Sequence, residues 1–182
     1  MDETAQLVDS AGGSFTPATV DLADIPAGVA CIEALMQDGP LDGLVNNAGI
    51  IRRADAVDLS QADWDDVIDI NLKSVFRLSQ AYGRTLLSRG QAGRIVNIAS
   101  LLSFQGGIRV ASYTASKHGV LGLTRLLANE WASRGINVNA IAPGYIETNN
   151  TEALRKDAAR SKSILERIPC LLYTSPSPRD AT

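Results

Sequence analysis

The sequence is poor in the residues on which several kinds of chemistry depend. Among 182 residues it has two cysteines and a single histidine. Cys31 and Cys170 stand far apart with no motif around them, so they offer no disulfide framework and no metal-ligand spacing, and they read as ordinary reduced thiols. No metal cluster is legible elsewhere. Long apolar runs are missing as well: nothing approaches the roughly 18–20 apolar residues of a membrane span. The opening MDETAQLVDSAGG has neither the basic start nor the apolar stretch of a signal peptide. Charge of one sign is also lacking. Seventeen basic and 20 acidic side chains, net −3, are scattered without long runs, which leaves no electrostatic footprint for nucleic acid or an anionic membrane. The expectation is a soluble, cytoplasmic protein whose partner is a small molecule.

What is present is a chain that is 45% hydrophobic and 20% charged, the composition of one globular domain with a sizeable core. Its periodicity alternates. A helix over Glu3 to Ser10 stops at Gly12-Gly13, a short strand is expected near Phe15 to Asp21, and a helix runs from about Pro26 to Met36. Leu41 to Asn46 reads as a second strand and Ala62 to Ser88 as a long amphipathic helix opened by Ser60. Arg94 to Ala99 is a third strand, Ala111 to Ser133 a helix, and Ile136 to Ala142 a fourth strand closed by Pro143-Gly144. A last charged helix is expected over Thr151 to Arg167. Parallel neighbours need crossover connections, so this alternation predicts α/β architecture: a doubly wound parallel sheet with helices on both faces.

Tyr113 and Lys117 lie four residues apart at the start of a predicted helix, which puts a phenol and an ammonium on one face. A free tyrosine titrates near pH ~10. A neighbouring positive charge favours the phenolate and makes a tyrosine usable as an acid or base near neutrality. Alone, such a pair is a weak signal. Ser100, at the C-terminal end of a predicted strand, lies where open α/β sheets place their ligand crevice, and its hydroxyl is suited to a substrate oxygen. A strand-terminal cap would look the same. Asn46, Asn47, Ala48 and Gly49 follow an apolar strand, where amides can brace neighbouring strands and Gly49 permits close backbone approach. His118 reads as a solvated helix residue; with no other imidazole, Ser100 has no evident partner for acyl transfer.

Context sharpens the pair. The chain carries NNAG at Asn46 to Gly49, INLKS around Asn71, NIAS ending at Ser100, and APGYIET at Ala142 to Thr148, with thirteen residues from Ser100 to Tyr113. In order and spacing these elements resemble the short-chain dehydrogenase/reductase family, from about Thr4 to Pro169. The resemblance implies a Rossmann-type fold and a hydride-transferring oxidoreductase that uses NAD, with NADP as the alternative. It implies a catalytic set of Asn71, Ser100, Tyr113 and Lys117, with Lys117 also holding the nicotinamide ribose and Asn71 holding a water that links Lys117 to solvent. It places Asn47, Ala48 and Gly49 beside the cofactor, Asp21 near the adenine, and Pro143, Gly144, Ile146 and Thr148 around the carboxamide. A helix-initiating aspartate would equally explain Asp21. The family's helices corresponding to Ala62 to Ser88 and Ala111 to Ser133 commonly build a homotetramer.

Three stretches, IIRRADAVDLSQADWDDVIDINLKSVF, ASLLSFQGGIRVASYTASK and NAIAPGYIETNNT, look closer to the gluconate-type sugar-acid dehydrogenases within that family. A guanidinium fork suits a sugar-acid carboxylate, which makes Arg52, Arg53 and Arg109 candidate substrate residues.

The family's glycine-rich turn after its first strand is not found in these 182 residues, and the family pattern gives way after Pro169 to CLLYTSPSPRDAT. The expectation is therefore an incomplete fold: a partial domain over 1–169 lacking its first βαβ unit and last strands, then a non-native or disordered tail over 170–182.

Overall fold

The computed structural model describes residues 2–39 and 41–144, together with 162 and 166. The chain divides into two compact units, residues 1–141 and 142–182. In the second, the Glu166 amide donates to the Lys162 carbonyl at 3.0 Å and the two side chains pair at 4.0 Å. The charged helix expected over Thr151 to Arg167 and the tail after Pro169 otherwise lie outside the described residues.

The first unit is an α/β layer. Helix α1 (Asp2–Ser10) leads through an extended stretch to α2 (Ile25–Asp38), whose first turn is capped by Asp24 accepting from the Ala27 amide. Strand β1 (Gly43–Asn46) follows. The Ser60 side chain accepts from the Asp63 amide and opens α3 (Gln61–Ile68), as its place before the apolar periodicity predicts. One π-helical turn, Asp69–Lys73, joins α3 to α4 (Ser74–Arg89). Gly90, at φ 63°, ends α4 in the left-handed conformation. Strand β2 (Gly93–Ile98), a 3₁₀ turn (Leu101–Ser103), α5 (Ala111–Trp131), a second 3₁₀ turn (Ala132–Arg134) and β3 (Ile136–Ile141) complete it.

The three strands form a parallel sheet in the order β1-β2-β3. Leu44, Ile95 and Val138 stand side by side in register, as do Asn46, Asn97 and Ala140. Ile95, Ile136 and Val138 meet Met36 of α2, Tyr82 and Leu86 of α4 and Leu127 of α5 in one core. The Tyr82 hydroxyl donates to the Leu41 carbonyl at 2.9 Å, and burial pushes its phenol above the usual value. Gly83 of α4 lets the Trp131 ring approach: a Cβ there would stand 2.6 Å from it.

Two expectations need correction. Phe15 to Asp21 is not a strand but an extended, mostly exposed segment. A strand exists only when a neighbour takes up its N–H and C=O groups, and none of the described strands lies beside it. Of the doubly wound α/β sheet, the described residues supply the helices of one side. The strand order advances in one direction, and right-handed crossovers taken in one direction leave their helices on one side. The core shows this: α2, α4 and α5 all pack on the face of Ile95 and Val138. On the opposite face Val45 and Ile141 are 60% and 55% exposed. The long helix also departs from a continuous α-helix at the Asp69–Lys73 turn. Among the described residues no helix is long and apolar enough to cross a membrane.

Under the core runs a buried polar chain. Asn46 Nδ2 donates to Asn97 Oδ1 at 2.8 Å and to Ser79 Oγ at 3.0 Å, Asn97 Nδ2 donates to Thr124 Oγ1 at 2.9 Å, and Thr124 Oγ1 donates to the Val120 carbonyl. It joins β1, β2, α4 and α5. Removing Asn97 takes a partner from the buried Asn46 amide and from the buried Thr124 hydroxyl, so N97A is expected to lower unfolding free energy by about 2–3 kcal/mol in urea titrations. A loss below about 0.5 kcal/mol, the range of a surface substitution, would show that the network is dispensable.

Candidate active site

The chemistry-bearing residues gather beyond the C-terminal ends of β1 and β2, where parallel sheets open their crevice. Ser100 follows β2 in an extended conformation and caps the 3₁₀ turn; its Oγ accepts the Leu102 amide at 3.2 Å. Tyr113 and Lys117 occupy one turn of α5, with Lys117 Nζ 5.7 Å from the centre of the Tyr113 ring. Lys117 is 5% exposed, and Nζ donates to the Ile98 carbonyl at 2.5 Å. Burial disfavours the ammonium and lowers its pKa from 10.5 to about 8.

Asn71 lies fully buried in the π-helical turn. Such turns insert an extra residue and often mark functional positions. Its Oδ1 accepts the Ile50 amide at 2.8 Å, while Nδ2 donates to the Ile50 carbonyl at 2.9 Å and to Ser116 Oγ at 3.3 Å. Both amide hydrogens are thus engaged, so a water on this side chain would have to donate to Oδ1. Ser116, also fully buried, donates to the Tyr113 carbonyl at 2.8 Å. Gly49 closes the group: a Cβ there would stand 3.3 Å from Asn71 Oδ1 and 3.9 Å from Lys117 Nζ.

The other sequence candidates fall in different surroundings. Asn47 and Ala48 are exposed immediately after β1. Asp21 accepts the Ala23 amide at 2.9 Å in the turn before α2, while Asp24 caps the helix. Arg52 pairs with Asp63 at 3.2 Å and Asp66 at 3.3 Å, and Arg109 with Asp55 at 3.2 Å, all partly exposed. Arg109 also holds φ 63°, the one left-handed non-glycine among the described residues, and its carbonyl accepts the Ala54 amide. Arg53 is exposed. Pro143 and Gly144 belong to the second unit, and Ile146 and Thr148 lie outside the described residues. His118 is exposed on α5, its Nδ1 3.0 Å from the Thr114 carbonyl. Among the described residues no three His, Cys, Asp or Glu side chains gather as metal ligands.

Sequence reasoning passed over Ser103 and Ser116. The first had a signal, since a serine three residues after a capping serine is a variant of the capping box. The second was hidden by the ordinariness of a helical serine beside a lysine.

The pattern of short chain dehydrogenases matches residues 1–159. A 2-dehydro-3-deoxy-D-gluconate 5-dehydrogenase of Dickeya dadantii is 58% identical over 168 residues, covering 92% of this chain and 66% of the relative. The Escherichia coli protein of the same name is 55% identical over 176 residues, 96% of this chain and 70% of its own length. The fold is that of an Agrobacterium tumefaciens protein, a proposed 2-deoxy-D-gluconate 3-dehydrogenase crystallised with NADP, with TM-score 0.87, 62% identity and coverage of 92% of this chain and 67% of that one. The chain spans about two thirds of the length of the relatives it matches. With the motif residues, the parallel Rossmann-like sheet and these likenesses in agreement, the chain belongs to the short chain dehydrogenase family.

Proposed function

We propose that the gene product transfers hydride between a nicotinamide dinucleotide and a hydroxyl or keto carbon of a gluconate-type sugar acid, with Tyr113 as the acid/base. The observation that carries this is the buried Lys117 ammonium beneath the Tyr113 ring, hemmed in by Asn71 and Gly49. Two of its three N–H groups remain after the bond to Ile98, which suits ribose hydroxyls. The side-chain-free edge at Gly49 suits close approach of a cofactor. Gly49, with Asn47, Ala48, Tyr113 and Lys117, would hold it, joined by Asp21, Pro143, Gly144, Ile146 and Thr148 as the family resemblance implies. NADP in the Agrobacterium relative supports a nicotinamide dinucleotide here, NAD or NADP. When bound, the nicotinamide supplies the hydride acceptor for oxidation or the donor for reduction.

The protein's own part is proton handling and orientation. Because the Leu102 amide occupies a lone pair of Ser100 Oγ, the serine's hydrogen is available to donate to the substrate oxygen. Tyr113 removes the alcohol proton in oxidation and returns it in reduction. Asn71 fixes Ile50 and, through Ser116, the Tyr113 turn. The relatives' names support a sugar acid, whose carboxylate one of Arg52, Arg53 and Arg109 would meet. Arg109 is the first to test, since exchange of the Asp55 carboxylate for a substrate carboxylate is like for like. Assembly as a homotetramer through the helical stretches 62–88 and 111–133 is what the family resemblance implies; a shallow, open apolar depression between Leu72, Lys73, Phe76, Gly119, Gly122 and Leu123 lies on them.

A second reading is favoured by the uncovered sheet face: residues 1–182 by themselves neither bind NAD tightly nor turn over substrate. Saturable NADH binding with a cooperative melt in purified 1–182 would refute it.

For the complete gene product, NAD(P)-linked oxidation of a panel of gluconates is the direct assay. Y113F should lower kcat by about a thousandfold. R109A should raise KM for gluconates about tenfold while leaving uncharged polyols unaffected. Turnover of polyols but no gluconate would discard the sugar acid, and an active Y113F would discard the tyrosine.

Lys117 also makes stability depend on pH. Below about pH 8 it is charged in both states, and the cost of burying the ammonium stands in full. Between about 8 and 10.5 the unfolded chain binds the extra proton, so stability attributable to this group rises with pH, by about 3 kcal/mol in total. Urea midpoints of the wild type should therefore gain on those of K117M from pH 7 to pH 10. Parallel pH curves for the two proteins would contradict the assignment.

A further inference from the structure

We propose that Ser103 is a positioning residue for this site, its hydroxyl fixing the end of β2 that carries Ser100 against the turn of α5 that carries Tyr113 and Lys117. The inference rests on the site reading given above. Ser103 is 4% exposed. Its Oγ accepts the Ser100 amide at 3.2 Å and donates its hydrogen to the Lys117 carbonyl at 2.7 Å.

A hydroxyl has one hydrogen to give. Here it crosses from the turn to the helix, while the oxygen holds the backbone of Ser100 itself. Lys117 is consequently anchored twice to the same short segment, its carbonyl on Ser103 and its Nζ on Ile98. The Ser100 hydroxyl completes the turn from its side by accepting the Leu102 amide. One buried atom therefore sets the spacing between a group that binds the substrate oxygen and the group that exchanges its proton. Without it, the 3₁₀ turn keeps only the Ser100 side of its reciprocal cap. Next to the turn stands Phe104, 63% exposed, which gives little packing to hold it in place. Misplacement of reacting groups by about 1 Å is enough to cost about a hundredfold in rate.

The test uses S103A, S103C and S103T in the complete gene product, with Y113F as reference. Cysteine keeps the volume but is a weak hydrogen bonder, whereas threonine keeps the hydroxyl. S103A and S103C should lose about ten- to hundredfold in kcat, with cofactor affinity and melting temperature near those of the wild type, and S103T should recover most of the rate. If Y113F abolishes turnover while S103A stays within about twofold of the wild type, the positioning role is wrong and the site reading stands. If Y113F turns over normally, the site reading itself fails and this role with it. Parallel loss of kcat, cofactor affinity and melting temperature in S103A and S103C would mean a merely structural hydroxyl and overturn the proposal. A folded S103T as slow as S103A would overturn it too; should S103T not fold, the alanine and cysteine variants decide.

Discussion

The Asn97 side chain is the constraint on which the rest of the structure depends. It sits near the C-terminal end of the central strand, fully buried, and its two side-chain atoms hold different elements: Oδ1 accepts from Asn46 on β1 and Nδ2 donates to Thr124 on α5. An amide in that place can be satisfied only if both neighbours arrive in register, and a buried amide left unmet costs more than a typical contact returns. The network therefore selects one alignment of β1, β2 and α5. Several candidate site residues lie along the chain from it: Asn47 to Gly49 directly after Asn46, Ser100 three residues after Asn97, and Tyr113 and Lys117 upstream of Thr124 on the same helix.

From that frame the site is assembled by short polar links, several ending on a backbone group. Asn71 holds both peptide groups of Ile50, Ser116 holds the Tyr113 carbonyl, Ser103 holds Ser100 and Lys117, and Lys117 holds Ile98. Side chains that grip backbone fix loops without long-range packing, which suits the ends of strands, where the core gives out. The charged side chains nearby behave differently. Arg52 and Arg109 form exposed pairs that contribute little to stability and are correspondingly easy to rearrange.

Much of this was legible in the sequence because it is governed by local rules. Ser60 announces its helix by capping, the apolar runs at Leu41 to Asn46, Arg94 to Ala99 and Ile136 to Ala142 become strands, and the spacing of Ser100, Tyr113 and Lys117 identifies the family. What escaped depends on neighbours. Phe15 to Asp21 has strand-like composition, but a strand is a property of a pair. That α2, α4 and α5 share one face of the sheet follows from strand order, which periodicity does not encode. The π-helical turn at Asp69–Lys73 leaves the amphipathic pattern nearly intact, so a single extra residue passes unnoticed. Nothing in the sequence singles out Asn97 within its apolar strand, and only its partners show it to be a joint.

The buried ammonium of Lys117 has an evolutionary consequence. A residue that is uncomfortable where it stands, yet placed where the proposed proton chemistry would need it, would set selection for durability against selection for turnover at a single position. Drift toward an apolar side chain at 117 would be rewarded by any screen for robustness and punished by any screen for catalysis. The surplus stability that lets the lysine persist has to reside elsewhere, in the packing of Tyr82, Leu86 and Ile95 and in the joint at Asn97.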